Sequence, residues 1–353
     1  ESTAKKAKKE PEVVLPEFSE PESEDSTTVS SESGAVMYSS TFTGAQSFLD
    51  AEEFPDIDIS SLVHADGTWG EDFSQFIPKL DDNYVWQHKV LYPAIQCLLG
   101  NMKVLTVGPT GSGKTTFWEN LAAVFNQPFY RLGGRQDMES DTILGRTDLD
   151  NGSTEFLLGD FPKHFIAGSL ILLDEAWKLP SGINMALQRV FERGGILQID
   201  DMKGELHDKQ FTAHDHTHIV LADNVVGTGD GADKYAATMI QDGSTLNRMD
   251  MILYLGYLEP ADEVAMITSR YDYIPEHKAE KAVQLANLIR NGFETDKLSA
   301  TMSPRNLIAW MEMAYKVKDY KTSFKWIMLN RFAEDDEKAT VSGMWTTVFG
   351  DTL

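Results

Sequence analysis

The chain has 353 residues, 42% of them hydrophobic, with 55 acidic residues against 31 Lys and Arg and a formal net charge of −24. That length suits two domains of ordinary size, while the charge disfavours general nucleic-acid binding, which sets Lys and Arg against phosphates. No apolar run approaches ~18 residues, so no membrane span is expected, and Cys97, the single cysteine, excludes an internal disulfide or a Cys-cluster metal site and fits a reducing, cytoplasmic compartment.

The chain opens on Glu1 with no signal-peptide pattern, which reads as a trimmed or processed start. Residues 1–45 are rich in Ser, Glu, Thr and Pro and too poor in large apolar groups to offset ordering entropy, so a disordered acidic tail is expected. Between residues 11 and 80 there are 15 acidic residues against Lys79 alone. The basic block KKAKK at 5–9 reads as part of the solvated tail. Apolar residues return over 46–83, which reads as an extended lead-in strapped onto the next domain.

From residue 84 the pattern becomes α/β. YVWQHKVLYPAIQCLLGN has helical spacing and ends at Gly100, and TTFWENLAAVFN is a second helix. MKVLTV, PFYRLG, SLILLDEA, HIVLAD and MILYLGY read as strands. Strands alternating with helices argue for a central parallel sheet covered on both faces, occupying 84–258.

GPTGSGKTT at 108–116 fits G-x-x-x-x-G-K-[ST], and it follows a strand and opens a helix as a phosphate loop must. Gly108, Pro109, Thr110, Gly111, Ser112 and Gly113 would turn backbone N–H groups toward phosphates, helped by the helix N-terminus beyond them. Lys114 would reach the β- and γ-phosphates, Thr115 would ligate Mg²⁺, and Thr116 completes the motif. SLILLDEA places Asp174 at a strand end, where it would hold the metal through water, and Glu175 beside it, where it would polarise an attacking water. ATP and Mg²⁺ are the ligands this combination calls for.

Three other features are weaker. His214, His216 and His218 would share one face of an extended strand, as metal ligands can, but no fourth ligand is near and ordinary hydrogen bonding is the preferred reading. GGILQIDDMKGELHDKQF at 194–211 alternates around a Gly turn and predicts a β-hairpin. The stretch HIVLADNVVGTGDGADKY lacks the acidic spacing of a calcium loop, and no second strand–helix unit supports dinucleotide binding.

Past Glu259-Pro260 the strand signals stop. ADEVAMITSRY, EHKAEKAVQLANLIRNG, SPRNLIAWMEMAYKV and SFKWIMLNRFAED predict helices, with Ser303 as an N-cap and Pro304 at the first helical position. A small all-helical domain over 259–353 follows.

Phosphate loop, Asp-Glu strand, polar-tipped strand and helical C-terminal domain together resemble an AAA+ ATPase. In that family Asn224 would be the sensor 1 residue, on a strand between those of the phosphate loop and the Asp-Glu pair. Arg248, in LNRMDMILYL, would be an arginine finger reaching a neighbour's γ-phosphate, and Arg305, in SPR, the sensor 2 arginine of the lid. IPKLDDNYVW, LQRVFERGGILQID and NVVGTGDGADKY are similar to the MoxR-like branch, and within it to the CobS-type small ATPase subunits of aerobic cobaltochelatase, over about residues 75–315. Asp223 departs from the family, which has a small residue there, and NRMD replaces its arginine phrase. Related ATPases also occur in bacteriophages. The resemblance implies Tyr84 and Val85 beside adenine, and a ring oligomer expected to be hexameric. It implies a hairpin and an insertion near 145–165 that face the pore or a partner. It further implies a partner with a von Willebrand A-type domain, and metal insertion into a tetrapyrrole as one possible outcome. A nucleotide-gated scaffold, or a motor on DNA or protein, are the competing readings.

Overall fold

Five short apolar runs lie side by side as one parallel sheet in the computed structural model, which describes residues 35–42, 55–150, 153–192, 194–226, 243–271 and 273–353. The sheet strands are β1 (Val104–Val107), β2 (Phe129–Gly133), β5 (Leu170–Asp174), β8 (His218–Asp223) and β9 (Met251–Tyr254), in the order β2-β5-β8-β1-β9. All four pairings are parallel. β3 (Gly145–Asp150) and β4 (Ser153–Leu158) form an antiparallel hairpin, and so do β6 (Ile196–Gln198) and β7 (Gln210–Thr212). The second is the hairpin anticipated at 194–211; its strands are three residues long, with a 3₁₀ turn over Leu206–Lys209. The first occupies 145–158 of the 145–165 region, and the helix Asp160–Ala167 takes up the rest.

Alternation along the strands divides two cores, because successive side chains point to opposite faces. Leu170 and Leu172 join Val104, Val220 and Ala222 against α1 (His88–Leu99) and α2 (Lys114–Val124). Ile171 and Leu173 join Leu105, Ile219 and Leu221 against α3 (Asp160–Ala167) and α4 (Ser181–Gln188). Residues 35–42, within the stretch read as tail, belong to the first core. Tyr38 and Phe42 are buried four residues apart at a single helical turn, Tyr38–Thr41. Two aromatic rings at that spacing supply the apolar area the rest of the tail lacks. The segment before residue 35 lies outside the described residues. The helix anticipated from Tyr84 starts at His88 instead, which leaves Tyr84 and Val85 outside regular secondary structure.

Beyond β9 the chain is helical: α5 (Pro260–Arg270), α6 (Glu276–Glu294), α7 (Pro304–Val317), α8 (Tyr320–Ile327) and α9 (Asp335–Phe349). Ser303 caps α7 in a box with Asn306, as its sequence suggests. The helix expected over SFKWIMLNRFAED is broken instead. α8 starts earlier, where Asp319 accepts the Lys321 and Thr322 N–H groups, and stops at Ile327; after a 3₁₀ turn, α9 begins with Asp335, Asp336 and Glu337 at its positive end. These helices close a third core around Trp310, Phe324 and Trp345.

One fully buried ion pair ties the helical region together. Arg290 on α6 donates to both carboxylate oxygens of Glu263 on α5, each at 2.7 Å, and its Nε donates to the Met302 carbonyl at 2.8 Å, just before α7. A buried charge left without its partner is strongly unfavourable. Glu263→Ala or Arg290→Ala alone should therefore lower unfolding free energy by about 3–5 kcal/mol, while replacing both by Leu and Met recovers most of it; urea midpoints of the three variants check this.

The histidines carry a second prediction. Burial pushes His64 and His164 down to about 4 and His218 to about 3; for His64, repulsion from His216 and His214 adds to it. All three are held neutral in the fold, so below about pH 6.5 the unfolded chain binds more protons than the folded one. Their contribution is present above that pH and is lost as pH falls toward 4. The thermal midpoint should drop over that window, and His64→Phe should make the decline shallower.

Candidate nucleotide site

β1 delivers the chain into the loop 108–113, and α2 leaves it at Lys114. Gly111 and Gly113 have φ of +75° and +95°, values an L side chain adopts only with strain. A Cβ on Gly108 would lie 2.0 Å from the Leu255 carbonyl oxygen, and one on Gly111 would lie 2.5 Å from Ser303 Cβ at the cap of α7. At Gly113 nothing would lie within 4 Å. The loop is thus wedged between β9's exit and the helical region on one side and open on the other. Ser112 Oγ, buried in the loop, has no hydrogen-bond partner.

Lys114 is buried, and its Nζ donates to the carbonyls of Gly108 (2.8 Å) and Pro109 (3.1 Å) and to Asn224 Oδ1 (2.9 Å). Burial pulls its ammonium down to about 8, against the opposing pull of Asp174, Asp223 and Glu175. Thr115 Oγ1 donates to Asp174 Oδ2 at 2.8 Å. The sheet order makes these contacts: β8 lies between β5 and β1, so Asn224 sits just past β8, facing Lys114 on one side and the end of β5 on the other.

Each acid at the end of β5 also meets a cation. Arg131 on β2 pairs with Asp174 at 2.6 Å, and Lys178 pairs with Glu175 at 3.0 Å. Glu175 itself is left-handed, with φ 53° and ψ 43°, a conformation costing roughly 1–3 kcal/mol for a non-glycine residue. It opens the 3₁₀ turn Ala176–Lys178. Gly134 passes so close to this residue that a Cβ there would lie 2.3 Å from the Glu175 carbonyl oxygen.

Beside the loop is a cavity of about 280 Å³. Tyr84 and Val85 line one wall, Gly111, Ser112, Gly113 and Thr116 the floor, and Arg305, Arg270 and Met266 the helical side. The structure therefore gathers the loop, Tyr84, Val85 and Arg305 around one space, and Lys114, Thr115, Asp174 and Asn224 beside it. Arg248 lies elsewhere, on the turn before β9, paired with Glu192 at 3.3 Å. The stretch 227–242, with most of the Gly-Asp turn, lies outside the described residues.

Comparison with known proteins fits this geometry. Residues 103–241 match the AAA domain model of the dynein-related subfamily, and residues 263–347 match the C-terminal region of CbbQ, NirQ and NorQ. The chain belongs to the AAA+ P-loop ATPases, in the MoxR-like branch. It is 26% identical over 286 residues to the aerobic cobaltochelatase subunit CobS of a Sinorhizobium species, covering 79% of this chain and 84% of that one. It is 25% identical over 142 residues to NorQ of Paracoccus denitrificans, covering 40% of this chain and 50% of that one. The RuvB Holliday junction branch migration motor of Thermotoga maritima overlays 74% of this chain and 75% of its own, at 18% identity and a TM-score of 0.44, too loose a likeness to bear on function.

Three cations around this AAA+ site escaped the sequence reading. Lys178 follows Glu175 by three residues, a spacing that could have flagged it. Arg131 and Arg270 carried no such signal, since both meet their acids across the fold; Arg270 pairs with Asp81, ahead of α1. The histidine segment makes ring and hydrogen-bond contacts: His214 Nδ1 accepts the His216 N–H at 3.2 Å, and His216 packs 4.6 Å from His64, while His218 is buried in β8. Among the described residues no group of three or more His, Cys, Asp or Glu is arranged to hold a metal, and no helix is long and apolar enough to cross a membrane.

The glycine cradle yields a test. Gly111→Ala adds both left-handed strain and a clash with Ser303, so nucleotide affinity should fall about tenfold or more and the unfolding midpoint should fall as well. Titration with a fluorescent ATP analogue, beside a thermal melt, checks both halves.

Proposed function

We propose that the chain is a Mg²⁺-dependent ATP hydrolase of the MoxR/CobS-like type that works as a ring, with six protomers expected, and remodels a partner protein. The division of labour is an α/β nucleotide-binding domain over 84–258 and a helical lid over 259–353. The observation that carries the reading is the meeting of Lys114, Thr115, Asp174 and Asn224 at the ends of three adjacent strands, beside a cavity walled by Tyr84, Val85 and Arg305.

The donor set suits the ligands. A hydroxyl and a carboxylate 2.8 Å apart are hard oxygen donors of the kind Mg²⁺ prefers, and the orphaned Ser112 Oγ sits within the loop meant for phosphate. When bound, Mg²⁺ would neutralise charge on the phosphates and favour departure of the leaving group. The loop 108–113 would hold the phosphates through backbone N–H groups, with Thr115 and Asp174 as the metal's protein ligands. Lys114 would exchange its loop carbonyls for phosphate oxygens. Glu175 would leave Lys178 and orient the attacking water, with Asn224 fixing that water from the neighbouring strand. Arg305 in the same protomer, and Arg248 presented to a neighbouring one, would stabilise charge developing on the γ-phosphate. Tyr84 and Val85 would border adenine.

The relationship to CobS supports a partner with a von Willebrand A-type domain and a place in metal insertion into a tetrapyrrole, in the cytoplasm. The formal charge of −24 weighs against a DNA substrate. A nucleotide-gated scaffold is the second reading. It draws on the pairing of both site acids with cations of their own chain, which would hold the site idle after ATP binds.

Turnover decides between these. The protein with Mg²⁺ and ATP should release phosphate, and Glu175→Gln should slow release by about 10²–10³-fold while leaving ATP binding intact. A wild-type protein that binds ATP but releases no phosphate, alone or with a captured partner, establishes the scaffold reading instead. The Glu175→Gln protein held with ATP is also the bait for the partner: recovery of a von Willebrand A-domain protein supports the chelatase-like assignment.

A further inference from the structure

Asp223 is buried at the last position of β8. Its two oxygens are both engaged by backbone. Oδ2 accepts the Trp177 N–H at 3.0 Å, and Oδ1 accepts the Asn224 N–H at 2.7 Å. The Trp177 indole N–H donates in turn to the Val225 carbonyl at 3.0 Å. One carboxylate thus fastens the turn after β5 to the chain just beyond β8.

The turn it fastens is the one that carries Glu175. Glu175 occupies the cap position of the 3₁₀ turn Ala176–Lys178 and makes no capping hydrogen bond with its side chain. The first N–H groups of a helical turn have no partner within it and are ordinarily met by a side chain at the cap position, most often Ser, Thr, Asp or Asn. Here Asp223, reaching from the neighbouring strand, accepts the Trp177 N–H, so the Glu175 carboxylate is not drawn into the cap and pairs with Lys178 at 3.0 Å instead. The same carboxylate fixes the peptide of Asn224, whose side chain accepts from Lys114.

We propose that Asp223 is a positioning residue of the hydrolytic site: it caps the Glu175 turn from across the sheet, freeing Glu175 for water and locking Asn224 in register with it. Asp223 touches neither water nor phosphate in this scheme. It acts through the backbone, and with a small residue in its place the Trp177 N–H would be left to compete for the Glu175 carboxylate.

The inference rests on the hydrolytic reading, and its test separates the two. With ATP and Mg²⁺, Asp223→Ala should lower kcat by about 10²-fold and leave ATP affinity within about twofold. Asp223→Asn, isosteric but with one acceptor oxygen for two N–H groups, should retain part of the rate. In the Asp223→Ala background, Glu175→Gln should add little further loss, because both changes remove the same oriented carboxylate. Hydrogen exchange of the peptide spanning 171–180 should speed up in Asp223→Ala, with the loop 108–113 unchanged; this readout needs no turnover.

Full turnover in Asp223→Ala, multiplicative losses with Glu175→Gln, or parallel loss of ATP affinity and kcat in Asp223→Asn would each overturn the proposal. A wild-type protein without turnover defeats the hydrolytic reading, and unchanged exchange over 171–180 then defeats this one as well.

Discussion

The carboxyl ends of β1, β5 and β8 meet at one edge of a parallel sheet, and every contact at the site depends on that convergence. Parallel strands joined by crossovers put their ends, and the helix starts that follow, on the same side. With β8 between β5 and β1, a lysine from one strand exit, an acid pair from another and an amide from a third come within hydrogen-bond reach. A strand order without β8 between β5 and β1 would part Asn224 from Lys114 or from the end of β5.

That convergence concentrates charge where water is scarce. Lys114 is buried near Asp174, Asp223 and Glu175, and burial lowers its pKa to about 8 despite those three acids. Burying acids is costly unless they are paired or hydrogen-bonded. Each of these finds its own solution: Arg131 and Thr115 for Asp174, Lys178 for Glu175, and backbone N–H groups for Asp223. The ion pairs of Arg131 and Lys178 are partly exposed and so readily exchanged, whereas the Asp223 contacts are buried and hold the turn. The site thus combines movable cations with a fixed backbone frame.

The helical region closes the other side through small residues and one large buried pair. Ser303 packs on Gly111, and the Tyr257 hydroxyl donates to the Thr110 carbonyl at 3.2 Å. The Arg290 guanidinium stacks 4.2 Å from the Tyr257 ring while clamping Glu263. The start of α7, and with it Arg305, is therefore coupled to the phosphate loop through packed contacts.

Local chemistry made much of this legible in the sequence. Glycine spacing, the apolar run before Asp174-Glu175 and the Ser303-Pro304 start of α7 each carry their structural meaning within a few residues, because phosphate loops, buried strands and caps are local devices. The sequence by itself therefore determined the strands, the phosphate loop, the Asp174-Glu175 strand end and the helical C-terminal region, while Asn224 was named through the family resemblance. Only the tertiary structure decided what bridges between elements: the burial of Tyr38 and Phe42, the break after Ile327, Arg131 on Asp174, Arg270 at the cavity, and the use of Asp223 as a cap for another strand's turn. Asp223 and Trp177 lie 46 residues apart in the chain. A carboxylate's value is set by which N–H groups surround it, and that is fixed only when the sheet has formed.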